Sequence, residues 1–211
     1  MIKSRTSRGM RLNQLFMRNE YPACGQWGIP LVKKQDINIS DISLISYAST
    51  KRNESIENKR RGVHFFVDDY RFEGIYRNPT RSLDKLSQYA FLLTPDFSTY
   101  RRMQPWRQLE SIAHSRWCGA YWQSKGLQVV PTITWSTPSS FRYCFDGVEK
   151  GSIVAVGMIG CRNDKRNFLL GYNMMLEKIE PSVIICVGKP FKEMDGNILE
   201  IEYRPFQKGA D

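Results

Sequence analysis

Val63-His64-Phe65-Phe66-Val67-Asp68-Asp69-Tyr70-Arg71-Phe72-Glu73 runs from an apolar stretch straight into carboxylates, and Phe91-Leu92-Leu93-Thr94-Pro95-Asp96-Phe97-Ser98 echoes it downstream. Each reads as a buried strand whose C-terminal end carries acid. Strands this apolar belong to a parallel sheet covered on both faces, and α/β proteins bind their ligands at the strand ends. Beyond these two segments, apolar runs at 44–48, 127–135, 152–157, 183–187 and 198–203 read as further strands, and 141–145 as an extended piece favoured weakly by alternation. Helical patterns fall between them. The strongest starts at Pro105 and ends at Gly126, with Trp106, Leu109, Ile112, Ala113, Trp117, Ala120 and Tyr121 on one face. A second covers 166–180 and stops at Pro181, and a short one begins after Ser82 as cap.

The alternation predicts an α/β fold with a mostly parallel sheet of about seven or eight strands, counting from Leu44. A small or incomplete TIM-barrel-like arrangement fits best, and an open doubly wound sheet is the alternative. The 211 residues suffice for one well-filled core. We expect a single domain over 27–211, preceded by a basic N-terminal arm over 1–26 with a short amphipathic helix around 10–18. The polar stretch 51–61 reads as an exposed, mobile loop or frayed helix.

Lys and Arg number 31 against 21 Asp and Glu, a net charge of +10, which favours contact with a polyanion such as nucleic acid or a nucleotide. The five cysteines are scattered singly without zinc-binding spacing and read as reduced thiols. No apolar run approaches the ~20 residues of a membrane helix, and the basic N-terminus lacks the apolar middle of a signal peptide. A cytoplasmic protein with no membrane association is expected. P-loop, GxGxxG and HExxH spacings are absent, which argues against kinase, dinucleotide and zinc-protease chemistry.

The ordered series of blocks at 64–73, 94–100, 131–136, Cys144-Phe145-Asp146-Gly147 and 151–156 resembles the phage, prophage and mobile-element family catalogued as domain of unknown function 4417. The resemblance extends over roughly 27–203. It implies a setting, a phage or integrated element in the cytoplasm of a bacterial host, and no particular mechanism.

Asp69, Asp96 and Glu73 are the candidate catalytic carboxylates, and Asp68, Asp69 and Asp96 are the candidate ligands for a hard cation such as Mg²⁺. Without metal, two close carboxylates push one pKa up and form an acid–base pair. Side chains alternate along a strand, so Asp68 and Asp69 should point apart, with only one joining Asp96. The plainer reading has them stabilise the turn and pair with Arg71, Arg77 or Arg81. Arg101 and Arg102 would hold phosphate, Trp135 would stack on a base or sugar, and Ser98 and Lys189 would face the same rim. Ser98 and Ser136 are weak nucleophile candidates, because His64 sits inside a strand and His114 on the polar side of the long helix. The expected partner is a nucleotide or nucleic acid; the alternative is a host defence protein sequestered by the basic surface.

Overall fold

The computed structural model describes residues 13–204. A short helix α1 (Gln14–Met17) precedes the two-residue antiparallel strands β1 (Ala23–Cys24) and β2 (Ile29–Pro30). The part of the expected N-terminal helix before residue 13 lies outside the described residues. Arg18 fixes this region to the domain: its guanidinium lies 3.7 Å from the Trp117 ring centroid and 4.3 Å from that of Tyr76, and it donates to Tyr76 O at 2.7 Å.

The main sheet is parallel throughout. Strands β3 (Leu44–Ser46), β4 (Gly62–His64), β5 (Phe91–Leu93) and β6 (Val129–Val130) form one four-stranded ladder in that order. Strands β7 (Ile153–Gly157), β8 (Val183–Val187) and β9 (Ile198–Ile201) form a three-stranded one. A parallel bridge between Thr132 and Ala155 joins them, with Ala155 N donating to Pro131 O at 2.9 Å and Ile133 N donating to Ala155 O at 2.8 Å. The strand order therefore follows the chain without reversal, whereas a doubly wound sheet requires a reversal at its switch point.

The crossovers carry short helices α2 (Ile56–Lys59), α3 (Gly74–Arg77) and α4 (Leu83–Leu86), and long helices α5 (Pro105–Ser124) and α6 (Lys165–Ile179). Alternation sorts the strand residues onto two faces. Ile45, Val63, Leu92 and Val129 pack with Ile75, Leu86, Trp117 and Trp122 of the helices, while Val154, Val156, Ile184 and Cys186 pack with Phe168, Tyr172, Met175 and Ile179 of α6. The opposite face contributes Leu44, Phe91, Leu93, Val130, Ala155, Ile185 and Val187 to one cluster, which Ile201 also touches. Residues from the first and last strands meet in that inner cluster, so the sheet curls on itself. Among the described residues no ladder closes β3 onto β9, and both border an open groove. The arrangement is an incomplete, barrel-like α/β fold.

Two local expectations are corrected. The segment 141–145 is not extended: 138–142 form a 3₁₀ turn that buries Ser140, Tyr143, Cys144 and Phe145. Trp106 is 68 % exposed rather than core, because it lies in the first turn of α5, before the helix enters the domain. The 51–61 stretch is mostly exposed and carries the one-turn α2, in keeping with the expected loop or frayed helix. Glu54 accepts from Ser55 N (3.0 Å), Asn58 Nδ2 (3.0 Å) and Tyr89 Oη (2.7 Å), and Gln88 Nε2 donates to Lys51 O and Arg52 O at 2.8 and 3.1 Å.

Polar groups buried in α5 hold the two ladders together. Thr94, just past β5, accepts at Oγ1 from Thr132 N (2.8 Å) and Ser115 Oγ (3.0 Å), and its carbonyl accepts from Thr132 Oγ1 at 2.6 Å. Arg116, fully buried, donates to the carbonyls of Thr132 (2.7 Å), Cys144 (3.1 Å) and Asp146 (3.2 Å). Replacing Thr94 with Val preserves shape and strands the Thr132 amide and the Ser115 hydroxyl in the interior. We expect Thr94→Val to lower the unfolding free energy by about 2 kcal/mol in urea denaturation; no loss would mean that the network contributes nothing net.

Candidate functional site

The acid-bearing segment leaves strand geometry at His64. Val67 N donates to Phe65 O at 2.8 Å, and 69–71 wind into a 3₁₀ turn. The alternation expected for Asp68 and Asp69 therefore does not apply, and both border the same cavity. They serve it differently. Asp68 lies at the outer rim, its side chain 72 % exposed and 3.8 Å from the Arg71 guanidinium. Asp69 reaches inward and binds one residue twice, accepting from Ser98 Oγ at 2.8 Å and from Ser98 N at 3.1 Å.

That clamp draws the 94–100 loop against the end of β4, bringing Asp96 beside Asp69. Asp96 keeps part of its surface on the cavity and is otherwise enclosed by protein. Burial, then the neighbouring Asp69 carboxylate, push its pKa up from 3.8 to about 7, against the opposing field of Arg116. Among the described residues no side chain donates a hydrogen bond to it. A carboxyl group held near neutrality can both accept and donate a proton at cellular pH.

The cavity has a volume of about 630 Å³, within the ~300–1,000 Å³ of small-molecule sites. It opens beyond the C-terminal ends of β4, β5, β6 and β7. Trp135 forms one wall. Its indole rests on Gly171 of α6, where any Cβ would collide with the ring, and leans on Phe168 and Phe145 with centroids 5.0 and 6.2 Å away. The hydroxyls of Thr99 and Thr134 meet at 3.2 Å in the lining, and Asn167 Nδ2 donates to Ser136 O at 2.7 Å. Ser136 is only 4 % exposed, and its Oγ, buried in the lining, has no hydrogen-bond partner among the described residues.

Asp68, Asp69, Asp96, Ser98, Arg101 and Trp135 thus border one cavity. Arg101 is held by Asp164 at 2.9 Å and must trade that carboxylate for any phosphate. Glu73, Arg102 and Lys189 do not line it. Glu73 precedes α3 and pairs with Arg77 at 3.1 Å, Arg102 is exposed beyond the loop, and the Lys189 carbonyl accepts from Arg162 at 2.6 Å. His114 is not on a polar face: it stacks on Tyr76 with centroids 3.5 Å apart. His64 is buried and accepts from Phe66 N at 3.3 Å. Among the described residues no three of His, Cys, Asp and Glu converge on a metal position. Mg²⁺ here would draw on Asp69 and Asp96 and take its remaining oxygens from ligand and water. Thr99, Thr134 and Asn167 went unnoticed in the sequence; their only signal was their place just after strand ends or, for Asn167, in the first turn of α6.

The curled parallel sheet, with two carboxylates beyond its strand ends on one cavity, is an incomplete, barrel-like α/β fold, and comparison with known proteins gives its family. The model of a domain of unknown function, DUF4417, matches residues 21–205, so the chain belongs to that family. The Gene 1 protein of Mycobacterium phage L5 is 43 % identical over 130 residues, which cover 60 % of this chain and 57 % of that protein. The Gene 1 protein of Mycobacterium phage D29 is 32 % identical over 198 residues, 92 % of this chain and 73 % of that protein. No solved structure matches. No helix among the described residues is long and apolar enough to cross a membrane.

The Asp96 shift predicts a pH signature. With its folded pKa raised, native Asp96 keeps a proton that the unfolded chain has lost between about pH 4 and 7, so its contribution to stability falls as pH rises through that window. His64 and His114, both lowered to about 4 chiefly by burial, act oppositely, costing stability as pH falls from about 6.5 to 4. Comparison with Asp96→Asn removes the histidine contribution. Between pH 4.5 and 7.5 the wild type should lose ~1 kcal/mol or more relative to the variant in denaturant titrations; parallel profiles would contradict the shift.

Proposed function

We propose that the chain is a phage protein that binds a phosphate-bearing ligand, a nucleotide or nucleic acid, in this cavity and acts on it by proton transfer at Asp96. The observation that supports this reading most is the meeting of Asp69 and Asp96 on a cavity that also carries an aromatic wall and an arginine at its mouth. Asp96 is the group that exchanges the proton. Asp69 is a positioning residue, since both its oxygens are engaged by Ser98 and its charge helps to hold Asp96 near neutrality. Trp135 offers its exposed edge to a base or sugar, and Arg101 exchanges Asp164 for a phosphate oxygen.

Calorimetry with a panel of nucleoside mono-, di- and triphosphates, with Mg²⁺ and with EDTA, tests binding. Asp96→Asn should retain binding and lose turnover by about 10²-fold or more, the usual contribution of a positioned acid or base. Failure of every phosphate ligand to bind, or undiminished turnover in Asp96→Asn, would overturn the reading. The rival, capture of a host protein by the basic surface, draws support from the exposure of the 51–61 stretch, whose backbone Gln88 binds at Lys51 and Arg52. It predicts that charge reversal at Arg52 and Lys59 abolishes function, whereas Asp96→Asn leaves it intact.

A further inference from the structure

The cavity mouth carries features that a pocket for a free small molecule does not need. Tyr70, which does not itself line the cavity but sits in the chain between the lining residues Asp69 and Arg71, is 67 % exposed, and the Arg71 guanidinium lies 5.1 Å from its ring centroid. Tyr100, which borders the cavity beside Arg101, is 70 % exposed. Its carbonyl accepts from Gln108 Nε2 at 3.3 Å, which fixes its backbone against the start of α5. Large aromatic rings left in water beside arginines offer stacking surfaces for unpaired bases. In the lining residue Ser136, Oγ is a buried polar atom with no hydrogen-bond partner among the described residues, a state that costs free energy until a donor or acceptor meets it.

We propose that the ligand is single-stranded nucleic acid, delivered with one base in the cavity against Trp135 and hydrogen-bonded at its edge by Ser136 Oγ, while neighbouring bases stack on Tyr70 and Tyr100. The inference rests on the phosphate-ligand reading above and narrows it. A duplex keeps its bases stacked and offers none to the cavity, so it binds only through its phosphates. The net charge of +10 assists every nucleic acid alike, which makes strand preference, rather than affinity, the diagnostic quantity.

Fluorescence anisotropy with labelled dT and dA 12-mers, the matching duplex, and unlabelled dTMP and dAMP as competitors tests it at two salt concentrations. The single strands should bind at least tenfold more tightly than the duplex and than either mononucleotide. Tyr100→Ala should weaken the 12-mers about 5- to 100-fold, by more than it weakens the mononucleotides, in line with the loss of one stacked base. Ser136→Ala should weaken both. Thermal melts of each variant establish that it is folded. Mononucleotide binding without a single-strand advantage would overturn this inference and leave the pocket reading standing; binding of neither would overturn both. Equal affinity for duplex and single strand, falling steeply with salt and unchanged in Tyr100→Ala, would mean phosphate contact only and would also overturn it.

Discussion

The hydrogen bonds that join Thr94, Thr132 and Arg116 carry the greatest structural consequence in the molecule. Among the described residues the four-stranded and three-stranded ladders are joined by backbone hydrogen bonds where the chain runs past Pro131 to the Thr132–Ala155 bridge. A proline cannot donate to a ladder, so that junction needs another source of order. Thr94 supplies it from β5 through both side chain and carbonyl, and Arg116 binds the Thr132 carbonyl from the long helix. Asp96 follows Thr94 by two residues and Trp135 follows Thr132 by three. The same bonds that unite the sheet therefore set the separation between the acid and the aromatic wall of the cavity.

Arg116 has a second effect. Its charge is buried, and burial lowers its pKa from 12.5 to about 10, yet three carbonyls satisfy the guanidinium. Its field favours the ionised form of Asp96 and partly offsets burial and Asp69, which act in the other direction. Asp96 is thus held between opposing influences. A carboxyl group in that balance responds strongly to a small electrostatic change nearby, such as an arriving phosphate.

Much of the fold was legible because it depends on local pattern. The runs at 153–157 and 183–187 are short, apolar and β-branched, and 105–124 and 165–179 carry clear helix starts or stops at Pro105, Gly126 and Pro181. The direction of the acids was legible in part, since strand ends mark the site in any parallel sheet. What sequence could not reveal is long-range. Nothing local to Arg116, Ser115 or Thr94 distinguishes a buried network from a polar helix face. The strand was expected to run to Asp69 and stops at His64, because Asp69 is captured by Ser98 from another loop, 29 positions away. Glu73 and Lys189 failed to join the site for the same reason: closeness along the chain to a strand end does not fix where the following turn carries the side chain.

The Asp69 carboxylate and burial together raise the pKa of Asp96 at the cavity. Carboxyl ¹³C NMR titration of selectively labelled aspartate measures it most directly, in the wild type and in Asp96→Asn and Asp69→Asn. One resonance should titrate near 7, be absent in Asp96→Asn and move downward in Asp69→Asn, because the Asp69 charge contributes to the shift. Aspartates that all titrate near their ordinary value of about 4, or a raised resonance indifferent to Asp69, would contradict it.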